Sequence, residues 1–228
     1  ASLQRALGVT SLMLKLYDYW RSSAAYRVRI GLNLKGVEYE SVPVNIAPGK
    51  DEQFAPAYRA KNPQMRVPAL ETEQGLLTQS LAILVWLDQT YPEPRLVPAD
   101  PWLGAQVRAF ALTIAADIHP LNNLSVLNRL KLEFSTNDDH IAEWYRHWIR
   151  VGFGALEHQA GQRTQTKYVF GDEPGLADVM LVPQAANARR FNVDLSAFPR
   201  LAAWDETARQ HPAFLKAAPE NQKDAVTS

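Results

Sequence analysis

Four prolines fall within the ten residues from 92 to 101, at Pro92, Pro94, Pro98 and Pro101. Because proline lacks a backbone N–H and fixes φ, this segment cannot form the interior of a helix or of a central strand. The sequences on its two sides also differ in hydrophobic periodicity. We therefore predict that residues 92–101 link two domains of different class, one at 13–91 and one at 102–228.

The first of these stretches alternates between short strand-type and helix-type runs, with turn residues at each change. This pattern predicts βαβ followed by ββα, which is a small open α/β domain. The predicted strands are residues 14–17, 39–44, 67–71 and 76–77, and the predicted helices are residues 23–35 and 80–91, with a short helix or loop at 51–60.

The second stretch has no strand signal, and its apolar residues recur with the 3.6-residue period of a helix. Long helical segments are predicted at residues 102–117, 141–159, 176–190 and 197–210. The predicted fold class of the whole chain is therefore an α/β domain followed by an all-α domain.

Composition argues against several classes of partner. Lys plus Arg and Asp plus Glu each number 24, so the net charge gives no reason to expect a nucleic acid or an anionic membrane surface. No apolar run is long enough to span a bilayer, and the start lacks the pattern of a secretory signal. We expect a soluble cytoplasmic protein, with residues 1–12 as a leader ahead of Met13.

The sequence contains no cysteine. This excludes a disulfide framework, a cysteine-ligated metal site, a CxxC redox pair and a cysteine nucleophile. Any thiol chemistry must therefore use a thiol that a ligand brings, and we predict no metal site.

Arg21, Ser22 and Ser23 stand where the first predicted strand gives way to the first predicted helix. One interpretation is structural, because serine is a common N-cap that accepts the free N–H groups of a first helical turn. The other is functional, because a helix N-terminus attracts anions and a serine hydroxyl there can donate to a bound thiolate. Such a site can lower a thiol pKa from its usual value of about 8.5.

Further polar segments allow two interpretations each. Val67-Pro68 can mark an edge strand or a cis peptide bond. Ahead of the helix at 80–91, Ser80 or Thr78 can be a cap with Gln79 as a solvated loop residue, or Gln79-Ser80 can bind an anion at the helix N-terminus. His119, beside a proline, can end a helix or face a site. Asp178, three residues after Gly175, is half of a capping box and is predicted to be a folding element.

The order and spacing of these segments closely resemble the signature of zeta-class glutathione transferases. Within that class the chain is most similar to the bacterial branch of maleylpyruvate isomerases, related to the maleylacetoacetate isomerases. The matching segments are RSS at 21–23, YRVRI at 26–30, LKG at 34–36, RVPAL at 66–70, LTQS at 77–80 and IHPLNNLSV at 118–126. The resemblance implies a thioredoxin-like first domain, a helical second domain and glutathione as cofactor.

The resemblance also implies roles for particular residues. Ser22, with Ser23 next in line, activates the glutathione thiol. The residues implied to bind glutathione are Ser22, Val67, Pro68, Gln79, Ser80, His119 and Asn123. The family usually has a cysteine where Ala24 stands and a glutamine where His119 stands, so this chain departs from the pattern at both positions.

The substrate implied by the resemblance is a small dicarboxylate that carries a cis double bond. Arg21 and Arg190 are predicted to bind its carboxylates, because arginine forms bidentate, charge-assisted bonds to them. Arg189 is a weaker candidate, since adjacent residues on a helix point about 100° apart and only one of the two is expected to face inward.

The expected activity is therefore glutathione-dependent cis–trans isomerisation of maleylpyruvate in aromatic catabolism of the gentisate type, by an enzyme that is a homodimer like its family. Three alternatives stay open: a maleylacetoacetate isomerase, a conjugating glutathione transferase, and a non-catalytic interaction module of the same fold.

Overall fold

A mixed four-stranded sheet forms the first part of the molecule in the computed structural model, which describes residues 13–226. Its strands, in the order β2-β1-β3-β4, are parallel between β1 and β2 and antiparallel elsewhere. The strands are β1 at Leu14–Asp18, β2 at Tyr39–Pro43, β3 at Ala69–Thr72 and β4 at Gly75–Thr78. The predicted βαβ-ββα arrangement is confirmed, whereas the predicted leader at residues 1–12 lies outside the described residues.

Helices surround the sheet and make up the second part of the described chain. Those of the first part are α1 at Ser23–Leu34, α2 at Pro56–Lys61 and α3 at Ser80–Thr90. Those of the second part are α4 at Pro101–Leu112, α5 at Leu124–Phe134, α6 at Asp138–Gly161, α7 at Leu176–Arg190, α8 at Pro199–Arg209 and α9 at Pro212–Ala217. Short 3₁₀ turns lie at Glu52–Phe54, Pro120–Asn122, Leu195–Ala197 and Pro219–Asn221, and a π-helical turn at Thr113–Ile118.

Several predicted bounds were wrong. β3 begins at Ala69 and not at 67, because Pro68 cannot donate to a strand ladder. The helix predicted at 102–117 ends at Leu112 and continues as the π-helical turn. The helix predicted at 197–210 begins only at Pro199, after a 3₁₀ turn. Helices α5 and α9 were not predicted.

Helix α1 joins the two parts of the structure. Its residues from Ala24 to Leu32 are all buried, since α3 lies on one side of it and α7 and α9 lie on the other. Gly31 permits the contact with α3, because a Cβ there would lie 2.3 Å from Leu84 Cδ2. The N-terminus of α1 is therefore held in a fixed position beside the helical part.

Asp178 stabilises the start of α7. Its side chain is buried and accepts hydrogen bonds from Gly175 N at 2.9 Å and Val169 N at 3.0 Å, so the predicted folding role is confirmed. We expect Asp178→Ala to lower the free energy of unfolding by about 2–4 kcal/mol, because two backbone donors lose their acceptor. Urea titration measures this loss. Asp178→Asn, which keeps one acceptor oxygen, should lose less, and equal loss in both variants would contradict this account.

Candidate active site

Ser22 caps the N-terminus of α1. It adopts an extended backbone conformation, and its Oγ accepts a hydrogen bond from Ala25 N at 3.2 Å. The cap interpretation is thus confirmed for Ser22, and its hydroxyl hydrogen is left free to donate to a further acceptor. Ser22 and Ser23 are both partly buried, at the place where β1 ends and the first turn of α1 presents its backbone N–H groups.

The loop ahead of β3 is built around a cis peptide bond between Val67 and Pro68. Two side chains hold the backbone just before this bond: Tyr58 Oη donates to Arg66 O at 2.7 Å, and Asn62 Nδ2 donates to the same oxygen at 2.8 Å. The backbone of Val67 is therefore held next to the N-terminus of β3, with its polar groups outside the ladder of the sheet.

Gln79 and Ser80 form the start of α3. Gln79 has a φ of +69°, a positive value that is uncommon for a residue with a side chain. Gln79 is exposed, and its Nε2 donates to Gln64 Oε1 at 3.3 Å. The N-cap position is Gln79, without a side-chain cap bond, and Ser80 is the buried first residue of the helix, so the interpretation of Ser80 as a helix cap was wrong.

His119 and Asn123 come from the helical part. The π-helical turn that leads to His119 packs against α6 at Gly152, where a Cβ would lie 2.3 Å from the side chain of Ile118. This places His119 Nδ1 3.4 Å from Ser23 Oγ, across the junction of the two parts. Asn123 caps α5 by accepting from Ser125 N at 3.0 Å.

One cleft brings most of these residues together. Six of the seven residues predicted to bind glutathione line it, and the seventh, Ser22, begins the helix whose Ala24 also lines it. The cleft is lined by Ala24, Arg27, Asn62, Gln64, Arg66, Val67, Pro68, Gln79, Ser80, Leu81, Ala115, His119, Pro120 and Asn123.

The two arginines at the end of α7 have different surroundings. Arg189 donates to the buried carboxylate of Asp205 at 2.5 Å, which ties it to α8. Arg190 is exposed, lies over the ring of Phe191, and has a lowered pKa because of partial desolvation and the nearby charge of Arg21. The charge of Arg21 is thus near enough to affect the pKa of Arg190, whereas Arg189 has a structural partner.

Family models identify both parts of the chain. The model of the glutathione S-transferase N-terminal domain matches residues 16–95, and that of the C-terminal domain matches residues 138–204. The maleylacetoacetate isomerase of Pseudomonas aeruginosa is 47% identical over 212 residues, which cover 92% of this chain and 98% of that protein. The chain belongs to the glutathione S-transferase family.

Solved structures of glutathione S-transferases have the same architecture. A holo structure of maleylpyruvate isomerase, a bacterial enzyme of the zeta class, matches with a TM-score of 0.90 and 45% identity, covering 93% of this chain and 100% of that one. A second match is the maleylacetoacetate isomerase of Anaeromyxobacter dehalogenans, crystallised with dicarboxyethyl glutathione and citrate. Its TM-score is 0.85 and its sequence identity 42%, and the match covers 95% of this chain and 99% of that one. The zeta-class resemblance and the glutathione transferase fold are confirmed.

Three features of this transferase site were not predicted from the sequence. Arg27 and Arg66 line the cleft but were not singled out, because arginine within a helix or a loop usually faces solvent. Tyr145 of α6 is buried near Arg27 and Arg190. The motif YRVRI did contain a signal, since arginines two apart on a helix cannot both lie on one exposed face.

Among residues 13–226, no helix is long and apolar enough to cross a membrane, and no group of three or more His, Asp or Glu side chains is placed to hold a metal ion.

His119 is expected to stay neutral wherever the enzyme is folded. Burial in the cleft, with the charges of Arg27 and Arg66 nearby, lowers its pKa to about 3. Because the neutral form is favoured in the folded state, stability should fall as pH falls from about 6.5 towards 3, and an NMR titration should show no change in this ring between pH 5 and 8. The His119 resonance is identified by its absence from the spectrum of the His119→Gln variant. A titration midpoint near pH 6.5 for this ring would contradict the prediction.

Proposed function

We propose that this glutathione S-transferase is a glutathione-dependent cis–trans isomerase of maleyl compounds, with maleylpyruvate as its preferred substrate. The observation that carries the proposal is the N-terminus of α1, capped by Ser22, with Arg21 directly before it and the charge of Arg190 near enough to Arg21 for the two to interact. Within residues 13–226, Arg21 and Arg190 contact aromatic rings and form no ion pair with a carboxylate. A small dianion fits a place where two such charges meet a helix N-terminus.

The residues of the cleft fit glutathione. The cis peptide leaves backbone groups of Val67 available to a peptide ligand, and Ser80 with the N-terminus of α3 suits a carboxylate. Gln79, His119 and Asn123 complete the set of polar groups that would hold the tripeptide. When bound, glutathione supplies a thiolate that adds reversibly to the double bond, so that the bond can rotate before the thiolate leaves.

The protein's own groups stabilise charge at each end of this reaction. The Ser22 hydroxyl and the first N–H groups of α1 lower the free energy of negative charge on the sulfur. Arg21 and Arg190 bind the substrate carboxylates and stabilise the negative charge that develops on the carbonyl oxygen. Since the thiol belongs to the ligand, the absence of cysteine from the sequence is compatible with this chemistry.

Relatives support the class of reaction. Those described above are named maleylpyruvate and maleylacetoacetate isomerases, and one of them binds a dicarboxyethyl derivative of glutathione. Maleylpyruvate is preferred because the motifs are most similar to that branch, and maleylacetoacetate, which is one carbon longer, is the alternative substrate. We further propose a homodimer in the cytoplasm, as is usual for the family.

An assay with limiting glutathione tests the proposal. We expect the enzyme to convert many equivalents of the cis substrate for each glutathione, because an isomerase regenerates the thiol. Product equal to the glutathione supplied would show a conjugating transferase, and no product would show a non-catalytic module. Either result would contradict the proposal, and comparing the two maleyl substrates by kcat/KM decides between the branches.

A further inference from the structure

Two buried arginines of α1 have very different partners. Arg29 is fully buried, and its guanidinium donates to both oxygens of Asp18, at 2.7 and 2.9 Å, and to the carbonyls of Trp20 and Ala217. Arg27 is 1% exposed, yet within the described residues its Nε and Nη2 have no hydrogen-bond partner. Its Nη1 makes a single long contact, 3.4 Å, with Ser80 Oγ.

A buried cation without a partner lowers the stability of a folded protein. Burial lowers the pKa of Arg27 to about 10, which leaves it charged at neutral pH. Residues 13–226 offer Arg27 no carboxylate in ion-pair contact, and the titratable groups that interact with its charge are the phenol of Tyr145 and the neutral imidazole of His119. Because replacing such a charge by an apolar group is often neutral or stabilising, the folded structure alone gives no reason for an arginine at this position.

The position of Arg27 points to a ligand. The side chain lines the cleft together with Ser80, Leu81 and His119, on the side where α3 begins. An arginine that donates to Ser80 Oγ occupies a lone pair of that oxygen and leaves its hydroxyl hydrogen to donate into the cleft. The guanidinium therefore places positive charge directly behind the group that would meet an anion at the N-terminus of α3.

We propose that Arg27 is a positioning residue for the α-carboxylate of the γ-glutamyl group of glutathione, acting through Ser80. This rests on the proposed function, since it requires glutathione in the cleft. Arg27 orients the Ser80 hydroxyl and supplies the countercharge of the carboxylate, and the carboxylate in turn compensates the buried guanidinium. The charge thus contributes to ligand binding and not to folding.

The assignment can be tested by measuring the Kd of glutathione for the Arg27→Met variant by calorimetry. Methionine fills a similar volume without charge, so we expect at least about a 10-fold rise in Kd for glutathione, with a free energy of unfolding equal to or above that of the unsubstituted protein. Arg29→Met is the matched control: it leaves Asp18 buried without its partner and should destabilise the fold. Arg27→Gln, which keeps donors without charge, gives the same test should the methionine variant not fold.

Two glutathione analogues locate the effect on the ligand. For an analogue that lacks the γ-glutamyl α-carboxylate, the substituted and unsubstituted proteins should bind equally, whereas for the glycine ethyl ester the loss caused by Arg27→Met should persist. Unchanged glutathione binding by the methionine variant, or equal losses with both analogues, would overturn the assignment. If the unsubstituted protein bound no glutathione, the proposed function itself would fail.

Discussion

Replacing Ser22 by alanine should lower kcat for the cis substrate about 100-fold or more at neutral pH. Removal of one well-placed donor to a developing anion typically has an effect of this size. The physical reason is that the Ser22 hydroxyl, whose oxygen is held by the bond from Ala25 N, is the proposed donor to the thiolate at the N-terminus of α1. The rate should recover as the pH is raised, because the bound thiol then ionises without help. Steady-state kinetics between pH 6 and 9 measure both effects.

Two variants separate this role from capping. Ser22→Asp keeps an N-cap acceptor but places a negative charge beside the thiol, so it should fold stably and remain inactive. Ser23→Ala removes a hydroxyl that contacts His119 and does not cap α1, and it should retain most of the activity. If instead Ser23→Ala lost the activity and Ser22→Ala kept it, Ser23 would be the activating residue.

Replacing Arg190 by alanine should raise KM for the substrate about 10- to 100-fold, because a charge-assisted carboxylate contact is lost. Glutathione affinity should change little, since Arg190 lies outside the residues that line the cleft. Initial rates with the substrate varied at saturating glutathione measure the effect.

The adjacent residue is the control for Arg190. Arg189→Ala breaks the bond with Asp205, to which Arg209 also donates at 3.1 Å, so it should cause a modest loss of stability and leave KM unchanged. If Arg189→Ala raised KM while Arg190→Ala did not, the assignment of the two arginines would be reversed.

Local sequence signals predicted the elements that carry the site. The strand-to-helix change at Ser22 follows from periodicity and capping preferences, and the helix start at Ser80 follows from periodicity alone, since Gln79 holds the N-cap position; both starts lie where predicted. The cis geometry at Pro68 was expected only through the family resemblance. Helix α5 was not predicted from the sequence. Leu127 is its one buried residue, whereas Leu132 and Phe134 are exposed, so the positions of its apolar residues do not match the face that packs.

Local sequence patterns did not predict which arginines have a carboxylate partner, because those partners come from other elements of the fold. Arg189 and Arg190 are adjacent in sequence, and the ion pair with Asp205 on α8 distinguishes Arg189 from its neighbour. In the same way, Arg27 and Arg29 differ because Asp18 lies at the end of β1 beside one of them and not the other. Such contacts join residues that are far apart in the chain, and no periodicity reports them.

The most direct measurement is the pKa of the glutathione thiol in its complex with the unsubstituted protein, followed by the ultraviolet absorbance of the thiolate as the pH is raised. A free thiol titrates at about 8.5, and we expect a pKa at least about one unit lower for the glutathione thiol in the complex. A bound thiol that titrates as it does in water would show that the start of α1 does not stabilise the sulfur anion.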